Sequence, residues 1–316
     1  MRRTDVLINQ ARLLSRNTAN ADGTKSISDE QVLQYLNDAQ DRMQNLICAR
    51  KNIAKIFATQ EIISLVANQE AYSLSRRLLL NKQIENVEFS SDGTLGNYVR
   101  LEKVSLINRD TNTTTYPWAY YKQGGQIFLQ PTPSSSTGTI RVTYEADLDD
   151  LDIPRGLVSS IGAGTATQFA TLTLDSSADA YETTTPGWSS QQYCCVVSPL
   201  GVRRCANILI GSYNTGTNLL TPSPTPFVYT SLDSKIQAND VLVFNKYTTT
   251  FSQLPDACER YLIQYAAVEM LSIDSSNDYS KQKDLLDNME DDILRALASQ
   301  TSEIQFIPQN NRYEWF

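Results

Sequence analysis

Four aspartates, Asp147, Asp149, Asp150 and Asp152, form the densest group of reactive side chains in this chain. Carboxylates at such spacing can hold a hard cation, act as acid and base across a glycosidic bond, or simply stay hydrated. A calcium loop needs defined ligand spacing, a glycine at its turn and a terminal glutamate, and that pattern is absent. No pocket signature accompanies the carboxylates to support glycan cleavage. The segment from Ala146 to Arg155, closed by Pro154, therefore reads as a solvated acidic linker.

Other chemistry is excluded by residue type. The chain has no histidine, so Ser-His-Asp and Cys-His arrangements and histidine-ligated metals are ruled out within one chain. The five cysteines, Cys48, Cys194, Cys195, Cys205 and Cys258, are odd in number and lack the C-x-x-C spacing of a zinc site. Adjacent Cys194 and Cys195 point to opposite faces of a strand, and all five read as reduced structural thiols. Gly162-Ala163-Gly164 is too short to cradle phosphate and reads as a turn. Arg203-Arg204 reads as a surface feature near a strand edge. Among Tyr116, Trp118, Tyr120 and Tyr121, alternation places half in a core. No catalytic, cofactor-binding or metal-ligating residue is expected.

Of 316 residues, 20% are charged, and the net charge is −8. That balance disfavours a surface that grips nucleic acid, because neutralising phosphates takes clustered Lys and Arg. No apolar run approaches the roughly 20 residues that cross a bilayer, so no membrane partner is expected. The basic start, Met1-Arg2-Arg3, leads into a polar helix rather than the apolar core of a secretory signal.

The elements fall into a bracket and a middle. Thr4 is placed to cap a first helix carrying Val6, Leu7, Ala11 and Leu14. Ser28 to Gln31 has the form of a capping box, and Val32, Leu36, Ala39, Met43 and Leu46 or Ile47 follow at helical spacing. Strand patterns then recur between Gln60 and Tyr144, and Arg76 to Asn81 reads as a short turn or helix. From Gly156 to Phe251 the chain turns rich in Thr, Ser and Gly. Short strands near Phe169–Leu174, Tyr193–Val197, Ala206–Ile210, Phe227–Thr230 and Val241–Phe244 suggest a small sandwich or barrel. Helix resumes at Pro255-Asp256, with Tyr261, Tyr265 and Ala266-Ala267. A last helix begins near Tyr279, and Ser302 to Phe316 reads as an uncapped tail. Its aromatic residues suggest docking, since termini otherwise fray.

The order of these motifs resembles the head-to-tail connector (adaptor) proteins of tailed bacteriophages. The matching stretches are Val32-Leu33-Gln34-Tyr35-Leu36-Asn37-Asp38-Ala39-Gln40 and the Tyr72-Ser73-Leu74 entry to a turn. Next come Gly124-Gly125-Gln126-Ile127-Phe128-Leu129-Gln130-Pro131-Thr132-Pro133 and Gly138-Thr139-Ile140-Arg141-Val142-Thr143-Tyr144. The series closes with Leu254-Pro255-Asp256-Ala257-Cys258-Glu259-Arg260-Tyr261-Leu262 and an acidic final helix. Such proteins often have Leu-Pro where this chain has Leu74-Ser75.

The expected fold is α+β. A helical bundle forms from the N- and C-terminal segments, with an antiparallel β element and an inserted all-β sandwich or barrel. Residues 1–150 and 252–300 make the core, 151–251 the insert and 301–316 a docking tail. The resemblance implies a non-enzymatic virion protein of the neck, a homo-oligomeric ring of about twelve copies assembled in the host cytoplasm. It implies portal and tail or nozzle proteins as partners, and a channel through which DNA passes without specific binding. The tail residues Phe306, Ile307, Arg312, Tyr313, Trp315 and Phe316 are the expected partner contacts. Val32, Leu36, Met43, Tyr261 and Tyr265 are expected at core or subunit contacts. The alternatives are a tail-tube or nozzle subunit and a carbohydrate-acting virion protein.

Overall fold

The computed structural model describes residues 2–17, 26–50, 54–74, 76–79, 84–94, 97–106, 113–165, 167–175, 192–229, 234–273 and 278–304. The chain divides into two compact units, Met1–Ile56 with Ser252–Phe316, and Phe57–Phe251. By contact, residues 57–150 group with the barrel strands, not with the helices that the sequence pattern suggested as their neighbours. The reason lies in ladders and ion pairs that join the two parts of the second unit. Asp150–Leu151, for example, runs parallel to Thr248–Thr249.

The first unit holds four described helices, α1 (Thr4–Ser15), α2 (Asp29–Ala49), α3 (Glu259–Ile273) and α4 (Tyr279–Ile304). α3 packs against each of the others and buries Tyr261, Leu262, Ile263, Ala266, Ala267 and Met270. Two small residues in sequence, Ala266 and Ala267, let neighbours come close.

Local sequence was only partly followed at the helix ends. The cap expected at Thr4 falls at Arg3, whose side chain instead bonds Asp5, while Thr4 is the first helical residue and is buried. At α2, Ser28 accepts the Gln31 N–H at 3.1 Å as expected. No described bond forms the reciprocal half of the capping box; the Gln31 amide nitrogen donates to the Tyr35 hydroxyl at 3.2 Å. Arg12 joins α1 to α2: it is buried, and it donates to the Ile27 carbonyl at 2.6 Å and to Asp29 at 2.7 Å.

Cys258 closes the turn Asp256–Cys258 that leads into α3, and burial pushes its thiol from 9.0 up to about 12. The unfolded thiol ionises near its ordinary value while the folded one stays protonated. Stability from this group is therefore complete below pH 9 and lost as pH rises toward about 12. The urea midpoint of the chain is expected to fall above pH 9, and Cys258→Ala to flatten that fall. Parallel pH curves for the two proteins would contradict this.

In the second unit, one sheet has the order Ala58–Ser64, Thr139–Glu145, Ile84–Ser90, Val99–Arg100. The other has the order Ala71–Ser73, Gln126–Gln130, Ala119–Gln123, Glu102–Lys103. Alternation along each strand sends one set inward, and a single apolar cluster draws on both sheets: Val87, Ile140, Val142 and Tyr144 from one, Tyr72, Tyr120, Ile127 and Leu129 from the other. The element is not purely antiparallel, since Glu102–Lys103 runs parallel to Ala119–Tyr120. Of the turn or helix expected from Arg76 to Asn81, residues 76–79 are described and hold no helix: Arg76 lies in a bend and Leu78 bridges Ala146 antiparallel. Gly138, at φ +108, lies where a Cβ would come within 2.7 Å of the Ser90 carbonyl, so only glycine fits there.

Six strands close the barrel of the same unit in the order Gly156–Gly162, Thr171–Leu174, Leu219–Pro222, Arg203–Asn214, Tyr193–Val197, Val241–Phe244. Its interior is filled by side chains including Val158, Phe169, Leu172, Cys194, Val196 and Ile208. Cys195 and Val197 face the other way, into a separate cluster with Val241, Val243 and Phe251. Both faces of Tyr193–Val197 are therefore apolar, which explains its continuous run of Cys and Val.

Candidate assembly surfaces

Four of the five helix residues singled out by spacing, Val32, Leu36, Met43 and Tyr261, are fully buried inside the helical unit. Tyr265 is half-buried, with the Arg42 guanidinium 5.8 Å from its ring centre. The same Arg42 pairs with Glu290 of α4 at 2.8 Å, and Glu290 accepts the Tyr261 hydroxyl at 2.8 Å. Burial, then the hydrogen bond to Glu290, hold the Tyr261 phenol protonated far above its ordinary range. These residues pin α2, α3 and α4 together.

The outward apolar surface lies elsewhere. The stripe on α1 is rotated from the one expected: Leu7, Ile8, Ala11 and Ser15 face inward, while Val6, Leu13 and Leu14 are 39%, 68% and 47% exposed. Ser15 meets Met270 of α3 at 3.7 Å, which fixes the inner face. Leu13, Leu14 and Ile263 line a groove of about 480 Å³, whose charged lining comprises Arg2, Asp256, Glu259 and Arg260. The expected tail contacts Phe306, Ile307, Arg312, Tyr313, Trp315 and Phe316 lie outside the described residues. α4 itself continues through Ser302 to Ile304, past the point where the tail was expected to begin.

The acidic run is not a solvated linker. Asp149 is 1% exposed, paired with Arg203 at 3.1 Å and with Arg76 at 3.5 Å. Asp152 is buried against Arg155 at 2.6 Å and accepts the Ile153 and Phe244 N–H groups. Asp150 is the outlier: burial raises its carboxyl above the ordinary value although Arg77 opposes this. Arg203 and Arg204, read as surface features, are these anchors instead, Arg204 lying 3.6 Å from buried Asp240. Arg155 lies three residues after Asp152, but the partners of Asp149 stand far off, Arg203 at a separation of 54, so no local pattern announces them.

Other candidates resolve simply. Half of the four aromatic residues are buried as expected, but not by alternation: the neighbours Tyr120 and Tyr121 are both buried, and Tyr116 and Trp118 are exposed. All five cysteines are free thiols, four of them buried. Among the described residues no group of three or more His, Cys, Asp or Glu is placed to hold a metal ion. No described helix is long and apolar enough to cross a membrane.

No curated protein matches the chain in sequence. The sequence model of the family described as SU10 adaptor protein matches residues 4–161. That span takes in α1, α2 and both sheets, and reaches the first barrel strand. The helices of the C-terminal segment and most of the barrel lie beyond it. The match agrees with the motif order between Val32 and Tyr144, and the chain belongs to the SU10 adaptor protein family, structural adaptors of the bacteriophage virion.

Proposed function

We propose that this chain is a head-to-tail adaptor subunit that assembles as a ring of about twelve copies between portal and tail in the virion neck. The ring keeps the DNA channel continuous, and DNA passes it without specific binding. The observation that carries the ring is the outer face of α1. Val6, Leu13 and Leu14 are exposed beside a groove with charged walls, apolar surface of the kind that subunit contacts cover. The net charge of −8 supports a wall to which DNA does not adhere. Residues 305–316, which follow the described end of α4, serve as the arm toward the portal, and assembly takes place in the host cytoplasm.

The mechanism is geometric, not chemical. Of the carboxylates that might have served a glycosidase, Asp149 and Asp152 are held by arginines and do not form an acid–base pair with each other. The test is sedimentation of the chain with purified portal rings. Co-sedimentation at a fixed ratio is the expected result. Sedimentation with tail tubes but not portals would favour a nozzle subunit. Release of sugar from peptidoglycan, with no binding to either, would overturn the reading.

A further inference from the structure

A cleft of about 460 Å³ in the second unit is lined in part by Arg76, Arg77, Lys122, Gly124, Gly125 and Tyr247. A volume of that order accommodates a ligand group or a few side chains. Three of these residues are cations, in a chain of net charge −8. Arg76 gives one nitrogen to Asp149 at 3.5 Å and Arg77 one to Asp150 at 3.4 Å. Each guanidinium has five N–H donors, so both retain donors for a further acceptor. Lys122 is exposed and makes no ion pair among the described residues.

Two further features keep the cleft open and its cations in place. A Cβ on Gly124 or Gly125 would meet nothing within 4 Å, so the hairpin tip leaves free space. Tyr247 stands at φ +56, a conformation costly for an aromatic residue, and its ring centre lies 5.2 Å from the Arg77 guanidinium. Asp149 and Asp150 offset part of the positive charge, but Asp149 is also claimed by Arg203 at 3.1 Å. An oxyanion with several acceptor positions is the chemistry that fits.

Complementary surface is present on the chain itself. α4 carries Asp284, Asp287, Asp291 and Asp292, all exposed and none ion-paired among the described residues. The first three recur at spacings of three and four, hence on one face, where like charges repel one another. Arg295 closes that face one turn later. We infer that the Arg76–Arg77–Lys122 cleft of one copy receives the acidic face of α4 from a second copy. This contact joins one surface to a different surface of the next subunit, the type that closes rings. It rests on the ring reading above, and it is salt-sensitive because its charges sit at the rim.

Charge reversal in the full chain, mixed with portal rings, tests the contact. Lys122→Glu and the triple change Asp284→Lys, Asp287→Lys, Asp291→Lys each reduce portal-bound rings about tenfold or more at low salt. Lys122→Arg does not. Combining the two reversals recovers rings to within about threefold of the wild type. Matching melting curves establish that each variant is folded. Rings that form regardless of either reversal, or a combination no better than its parts, would overturn this contact and leave the ring reading intact. Wild-type chain that never forms rings on the portal would overturn both. Binding of a short DNA duplex that is lost in Lys122→Glu, with no effect of the α4 reversals on rings, would reassign the cleft to phosphate and refute the proposal.

Discussion

Deleting residues 305–316 is expected to weaken binding to the portal ring by at least about 100-fold, leaving the fold of both units unchanged. Four large aromatic residues, Phe306, Tyr313, Trp315 and Phe316, stand within this segment together with Ile307 and Arg312. Residues of these types dominate desolvated interface centres, and single truncations there commonly cost about 2 kcal/mol or more. The deletion point follows from α4, whose described helix runs to Ile304, so it removes no described residue. Surface plasmon resonance on immobilised portal measures the loss directly. Binding within about threefold of the full chain would remove the arm from the portal contact and shift it to another neighbour.

Replacing Asp152 by Ala is expected to destabilise the second unit by about 3–5 kcal/mol, the range found when one member of a buried pair is removed. The carboxylate is nearly inaccessible and does three jobs at once: it pairs with Arg155 at 2.6 Å and accepts N–H groups from Ile153 at 2.9 Å and Phe244 at 2.8 Å. Phe244 belongs to the barrel strand Val241–Phe244, and its ring lies 5.1 Å from the Arg155 guanidinium. One side chain thereby ties the segment leaving the sheets to the last barrel strand. Asp152→Asn keeps the shape and part of the hydrogen bonding, so its cost is smaller. Urea unfolding of the three proteins provides the comparison. A loss below about 1 kcal/mol for the alanine variant would mean that the pair contributes little beyond its desolvation cost.

The helices were legible because amphipathic periodicity is a local signal. Val32, Leu36, Met43 and Ile47 repeat at helical spacing and are all buried. The barrel was legible as a class, from short apolar runs such as Tyr193–Val197 and Val241–Phe244. Its first strand, Gly156–Gly162, was not: Ser159 and Ser160 are exposed, Gly stands at both ends, and pairing partners supply the order that composition lacks. The face of α1 was misread for a related reason. Val6 and Leu14 have the right character for a core, but only the position of α3 decides that Leu7, Ile8 and Ala11 go inward.

Long-range electrostatics were the least readable. Four aspartates in a short run suggest hydration; Arg155 stands three residues from Asp152, but nothing nearby states that Arg76 and Arg203 will return to Asp149 from far along the chain. The same holds for Arg42 and Glu290, which meet across two helices. The cationic cleft is assembled in the same way, from Arg76-Arg77, the tip of a hairpin and the turn at Tyr247. Burial selects such pairs, because an isolated charge in the interior costs far more than a paired one.

Imaging of the chain mixed with purified portal, with rotational symmetry determined from end-on views, bears most directly on the adaptor reading. A second ring stacked coaxially on the portal, open along its axis and of about twelve subunits, is the expected result. Portal rings that remain bare at saturating chain concentration, with the chain monomeric beside them, would contradict it.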